Sequence, residues 1–284
     1  MTRSEKKKAK ARRAFNAHQS APPRTPRAGP VPIAQARLRA RYTAIKNEHK
    51  KRMRRLCTAI LGTNLHFRGH IWIPTAEKAA QPDAARLGDI QRDLDSGTAA
   101  VFWADGSEWN GVLGGAVAWH AAGGAQAVYY KLGRSTRGSA SDAELFAIAA
   151  AVAKGRQRVE EGGEVRLVRV YSDAQTLLES LRDGEPMVFG PLDESYFPLR
   201  ALYEDTDWLV AKGVGVELVW VKGHRGSEGN KIADAAASRA VQEQYTADES
   251  AGRGDEKDLE IPEFWKQLGP DWAAEWLYRQ RFHE

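Results

Sequence analysis

Cysteine is almost missing from this 284-residue chain: Cys57 stands alone. One thiol excludes an intramolecular disulfide and any zinc site built from cysteines. Together with the lack of a secretory leader it predicts a reducing compartment. Long apolar runs are missing too. None approaches the roughly 20 residues that a membrane-spanning helix requires, so no membrane partner is expected. Acidic residues are nearly absent from the first sixty positions, which hold 18 Lys and Arg against 2 Glu and leave 24 against 35 for the remainder. The formal charge of +5 therefore conceals a basic head and an acidic body.

What is present divides the chain into three stretches. Residues 1–97 are expected to form a basic, partly disordered extension. Ser4 to Arg13 (SEKKKAKARR) is a cation run and Pro22 to Pro32 is proline-rich, and neither can build a packed core. Such a run suits nuclear import or a sequence-blind grip on phosphates, which makes the nucleus the expected location, with the cytoplasm and the mitochondrion as alternatives. Between 33 and 61, Leu38, Tyr42, Ile45, Met53, Leu56 and Ile60 recur at helical spacing among Arg and Lys. That is a basic amphipathic helix, able to lie on nucleic acid or to dock on the acidic body. Ile71-Trp72-Ile73-Pro74 reads as a short extended anchor. Residues 247–284 join a polar linker to a tail carrying Phe264, Trp265, Trp272, Trp276, Leu277, Tyr278 and Phe282. An aromatic surface of that kind needs a partner, either the main domain or another protein.

Residues 98–246 pattern as an α/β domain. Ala99–Ala104, Leu113–His120 and Ala125–Leu132 read as strands of an antiparallel meander parted by glycines. Ser141–Arg158 is helical, Val165–Tyr171 a strand, Asp173–Arg182 and Pro198–Lys212 helices. Val214, Val216, Leu218 and Trp220 alternate as one more strand, and a helix starts at Ser227. The order β-β-β-α-β-α-α-β-α predicts a mixed five-stranded sheet with helices on both faces.

Four acids occupy positions that folding alone does not call for. Asp105 ends the first strand in Trp103-Ala104-Asp105-Gly106-Ser107, where Asp-Gly-Ser also reads as an ordinary turn. Glu144 has capping-box spacing from Ser141, yet it lies one turn from Ile148, on the side that should face the sheet. Asp173 follows a strand in Tyr171-Ser172-Asp173-Ala174-Gln175, where it could cap the next helix. Asp234 sits among Ile232, Ala233, Ala235 and Ala236. Gathered at one sheet edge, four carboxylates would raise one another's pKa, and the usual remedy is a hard divalent cation. Mg²⁺ takes oxygen ligands and keeps waters for a substrate phosphate, which points to phosphodiester chemistry. His224, between Gly223 and Arg225-Gly226 and ten residues before Asp234, adds an imidazole.

Together with Ala143-Glu144-Leu145, and with Val221-Lys222-Gly223-His224 leading through Gly229-Asn230 to Ala233-Asp234, these motifs resemble the type 1 ribonuclease H family. The resemblance runs from Thr98 to Gln244 and is closest in flavour to the domains of non-LTR retrotransposons. It implies a ribonuclease H-like fold and endonucleolytic hydrolysis of the RNA strand of RNA–DNA hybrids. It further implies Asp105, Glu144, Asp173 and Asp234 as catalytic ligands of two Mg²⁺ ions, with Mn²⁺ as a substitute, and His224 as a proton shuttle or an aid to product release. Gly106, Ser107, Ser141, Gln175 and Asn230 would touch the nucleic acid. The alternative is a catalytically degenerate retroelement-derived module that binds nucleic acid or protein without cleaving.

Overall fold

Six strands form one mixed sheet: β1 (His70–Trp72), β2 (Ala99–Trp109), β3 (Val112–Ala121), β4 (Gly124–Arg134), β5 (Leu167–Ser172) and β6 (Gly215–Trp220). Their order across the sheet is β1-β6-β5-β2-β3-β4. The computed structural model describes residues 65–121, 123–134, 139–186 and 192–250, with side chains from 198 to 246 in the last stretch, and single positions between 43 and 63. Two compact units divide the chain, Met1–His49 and Lys50–Glu284, and the sheet belongs to the second. In the first, positions 43, 44 and 47 are helical and exposed. The cation run, the proline-rich stretch, most of the amphipathic segment and the aromatic tail lie outside the described residues.

The meander forms as the alternation predicts. β2 pairs antiparallel with β3, and β3 with β4. The turn between β2 and β3 is Asn110-Gly111, with φ of 50° and 79°. Positive φ at both positions is what a two-residue type I′ hairpin demands, and Asn-Gly supplies it at least cost. β5 and β6 continue the sheet in parallel. The expected five strands become six because His70–Trp72 pairs in parallel with β6, so the extended anchor is a true edge strand. β2 also outruns its expected end. It continues four residues past Asp105 because β3 pairs with it as far as Trp109, so Asp-Gly-Ser is extended backbone here and no turn.

Seven α-helices are described: α1 (Ala76–Ala79), α2 (Asp83–Leu87), α3 (Gln91–Asp95), α4 (Ala140–Glu160), α5 (Gln175–Arg182), α6 (Leu192–Ala211) and α7 (Glu228–Ser250). None is long and apolar enough to cross a membrane. α6 starts upstream of the expected Pro198, which lies inside it. One missing hydrogen bond is offset there by the burial of Leu199, Leu202 and Leu209.

The two-residue period of the strands gives the sheet a core on each face. Ala100, Phe102, Ala104, Val168, Val170, Val216 and Leu218 share one core with Leu145, Ile148 and Val152 of α4 and with leucines of α5 and α6. Cys57, Ile60 and Phe67 are buried in that core, and the Cys57 thiol donates to the Pro186 carbonyl at 2.9 Å. The described end of the amphipathic segment therefore docks on the body. Val101, Trp103, Tyr171 and Val219 face the other way and meet Ile90 and Ala233. On that face α7 runs along β2, β3 and β4. Its far end is held by Glu243, which accepts from the Tyr129 hydroxyl at 2.9 Å and pairs with Lys131 at 3.2 Å. Gln244 donates to the Leu113 carbonyl at 2.9 Å. Arg169, buried in the sheet, joins Glu217 on β6 at 2.6 Å and Asp89 at 3.0 Å. Ile148 is fully enclosed. Truncation to Ala is expected to cost about 2–5 kcal/mol, read as a lowered denaturant midpoint with an unchanged slope.

Candidate active site

The pairing of β2 with β5 stops at Trp103 and Tyr171, while β2 continues on its other side with β3. Two residues further along the chain in each case, at the mouth of that opening, stand Asp105 on β2 and Asp173 just past the end of β5. Glu144 enters from the second turn of α4. Carboxylate oxygens of the three lie within 4.8 Å of one another. Asp105 is buried, and Glu144 and Asp173 are half-buried. The Glu144 Oε2 atom is shut away from solvent with no hydrogen-bond partner among the described residues.

The expected cap of α4 is elsewhere. Ser139, not Ser141, opens the helix, and its partner is Asp142, which accepts from the Ser139 backbone N–H at 2.8 Å and from its hydroxyl at 2.9 Å. Both pairs have the same spacing, so the sequence does not choose between them. The consequence is chemical, because the helix start is satisfied without Glu144 and that carboxylate is left for the cluster. Asp173 likewise caps nothing, since α5 begins at Gln175 after Ala174.

Burial dominates the electrostatics. It pushes Asp105 up to about 8, with the Asp173 charge adding to the rise and hydrogen bonds from Glu144 and the Gly106 backbone opposing it. Glu144 is raised well above the ordinary carboxylate range by burial and then by the charges of Asp105 and Asp173. Asp173 is also raised by burial, against the pull of His224. Three carboxyls that resist ionisation together, one with an orphaned oxygen, form an all-oxygen donor set that suits a hard divalent cation.

Asp234 stands outside the group of three, close enough for its charge to raise both Asp105 and Asp173. His224 Nδ1 lies 3.7 Å from Asp234 Oδ2, and the imidazole is 82% exposed. The close approach of the loop needs Gly223, because a Cβ there would run into the Asp173 carboxylate.

The expected substrate contacts divide. Ser107 and Ser141 are half-buried, and Gln175 is exposed and bonds Glu179 at 2.9 Å. Gly106 contributes its backbone, donating to Asp105 Oδ1 at 2.8 Å. Asn230 is 4% exposed, and its side chain lies close enough to Asp173 to lower that carboxylate's pKa. Trp220 is a contributor that its place in an alternating strand does not reveal. Its indole N–H donates to the Asp173 carbonyl at 3.3 Å, and no local signal marks that role.

A model of the RNase H family matches residues 97–242. The chain belongs to the RNase H family. Asp105, Glu144, Asp173, His224 and Asp234 all fall inside that RNase H match, whereas β1 and α1 to α3 precede it. Among curated proteins there is no match. Among solved structures the RNase H fold is similar to the N-terminal RNase H domain of a Mycobacterium tuberculosis protein, solved as a fusion with maltose-binding protein. The identity is 21%, with 53% of this chain and 98% of that one covered and a TM-score of 0.38. RNase H1 of the halophilic archaeon Halobacterium salinarum is 17% identical, with 51% and 98% covered and a TM-score of 0.36. LC11-RNase H1, solved with an RNA/DNA hybrid, is 16% identical, with 51% and 98% covered and a TM-score of 0.38.

Proposed function

We propose that this chain is a divalent-metal-dependent endonuclease that hydrolyses the RNA strand of RNA–DNA hybrids. One observation carries the reading: Asp105, Glu144 and Asp173 place carboxylate oxygens within 4.8 Å of one another, and Glu144 Oε2 has no hydrogen-bond partner among the described residues. These three, with Asp234 beside them, are the residues that would hold Mg²⁺ or Mn²⁺. Bound there, the cation supplies Lewis-acid polarisation of a phosphoryl oxygen and eases deprotonation of water.

The chain's own groups do the rest. Asp105 is fixed by the Gly106 N–H, so part of the donor set is ordered before substrate arrives. His224 presents Nδ1 to Asp234, and its exposed ring can take a proton from the solvent side and hold it, steadied by that carboxylate. Ser141 in the first turn of α4 and Gln175 at the start of α5 flank the cluster and would meet the hybrid. The basic head would add a salt-sensitive grip on phosphate that the acidic body lacks. A retroelement-like origin rests on the motifs alone, and nuclear localisation on the run Ser4 to Arg13.

A labelled hybrid incubated with the full chain is the test. Cleavage is expected with Mg²⁺ or Mn²⁺, and chelation should reduce it by about a thousandfold or more, with recovery on re-addition. Hybrid binding with no cleavage under any divalent ion would reject the enzyme and favour the non-cleaving binding module.

A further inference from the structure

The loop that carries His224 is tied down by residues that precede the family-matched stretch. At its start, the Lys222 N–H donates to the Ala79 carbonyl at 2.8 Å. In its middle, Gly226 (φ +65°) lies so close to the Ala80 and Gln81 carbonyls that a Cβ would strike them. At its end, the Gly229 N–H donates to Asp83 Oδ2 at 2.9 Å. That N–H belongs to the first turn of α7, where backbone donors lack helical acceptors and a carboxylate is favoured by the helix dipole.

The tie is built from inside. Asp83 is 8% exposed. Arg86 faces its other oxygen at 3.6 Å, donates to the Ala79 carbonyl at 2.7 Å and also bonds the Gln81 carbonyl. One arginine therefore stitches α1 to α2 beside the carbonyls against which the loop rests. His224 itself holds a φ of 53°, unusual for a residue with a Cβ, and needs a surround that over-determines it.

We propose that residues 76–87 brace the histidine loop and that Asp83 is a positioning residue for His224. The segment acts by limiting where the imidazole can stand. This rests on the ribonuclease reading for its effect on turnover, but not for its effect on the loop.

The test uses the full-length chain with Asp83→Ala, and with Arg86→Met as a second variant that loosens the brace without touching α7. Amide hydrogen exchange between Gly223 and Gly229 is expected to quicken by about tenfold or more in both, while exchange in β2 and β5 is unchanged. In hybrid cleavage below the melting range of each variant, Asp83→Ala should lower kcat by about three- to tenfold with KM unchanged. That loss should disappear in a His224→Ala background, the mark of action through the imidazole. Unchanged loop exchange, or a kcat loss that persists in full without His224, would overturn the brace. Absence of cleavage by the native chain would sink the ribonuclease reading alone, and exchange would still decide the brace.

Discussion

Asp173→Asn is expected to abolish hybrid cleavage, by about a thousandfold or more, while leaving hybrid binding within a small factor of the native value. The amide is nearly the size of the carboxylate, so the loop after β5 should keep its course. What disappears is one negative donor from a set whose oxygens lie within 4.8 Å. A set of two neighbouring acids no longer needs, or holds, a cation so firmly. Gel-based cleavage beside a binding isotherm on the same hybrid checks the prediction. Equal cleavage by the two proteins would mean that the cluster is not where the reaction takes place.

The same cluster makes an opposite prediction for stability. Asp105 titrates at about 8 in the folded chain, against about 3.9 for an unperturbed aspartate. Between those values the folded state holds a proton that the unfolded state has released. Stability therefore falls as pH rises through this window, and none is lost below about pH 4, where both states are protonated. Asp105→Asn removes the charge that burial opposes. In metal-free buffer at pH 8 the variant is expected to be more stable than the native chain by about 2–4 kcal/mol, with the difference vanishing near pH 4. Saturating Mg²⁺ should close most of the gap by stabilising the native chain, about 2.7 kcal/mol at a hundredfold excess over the dissociation constant, and the variant less. Denaturant titrations at both pH values, with and without the ion, measure all of this. A native chain more stable than the variant at pH 8 without metal would contradict it. Stability gained by removing an acid of the cluster is the signature of a site strained for function.

Much of this is legible in the sequence because each acid lies in its own local pattern. The strand patterns bring Asp105 and Asp173 to neighbouring strands, although β2 runs on past Asp105, and helical spacing turns Glu144 toward the sheet beside Ile148. What stays hidden depends on pairing partners that no local window contains. His70–Trp72 is too short to show a period, and only β6 makes it a strand. Asp-Gly-Ser looks like a turn until β3 lies alongside it. Ser141–Glu144 and Ser139–Asp142 have equal spacing, and the fold chooses the second. Asn230 is visible as part of the Gly229-Asn230 motif, yet its burial follows from how α7 seats on the sheet.

That seating has a consequence of its own. α7 is anchored twice, by Asp83 on Gly229 near one end and by Tyr129, Lys131 and Leu113 on Glu243 and Gln244 near the other, with Asp234 in between. A single residue inserted between Asp234 and Glu243 would rotate everything beyond it by about 100°, so one anchor or the acid would have to swing off its mark. The number of residues in that interval works as a ruler, and the chain can vary its loops far more freely than it can lengthen this one helix.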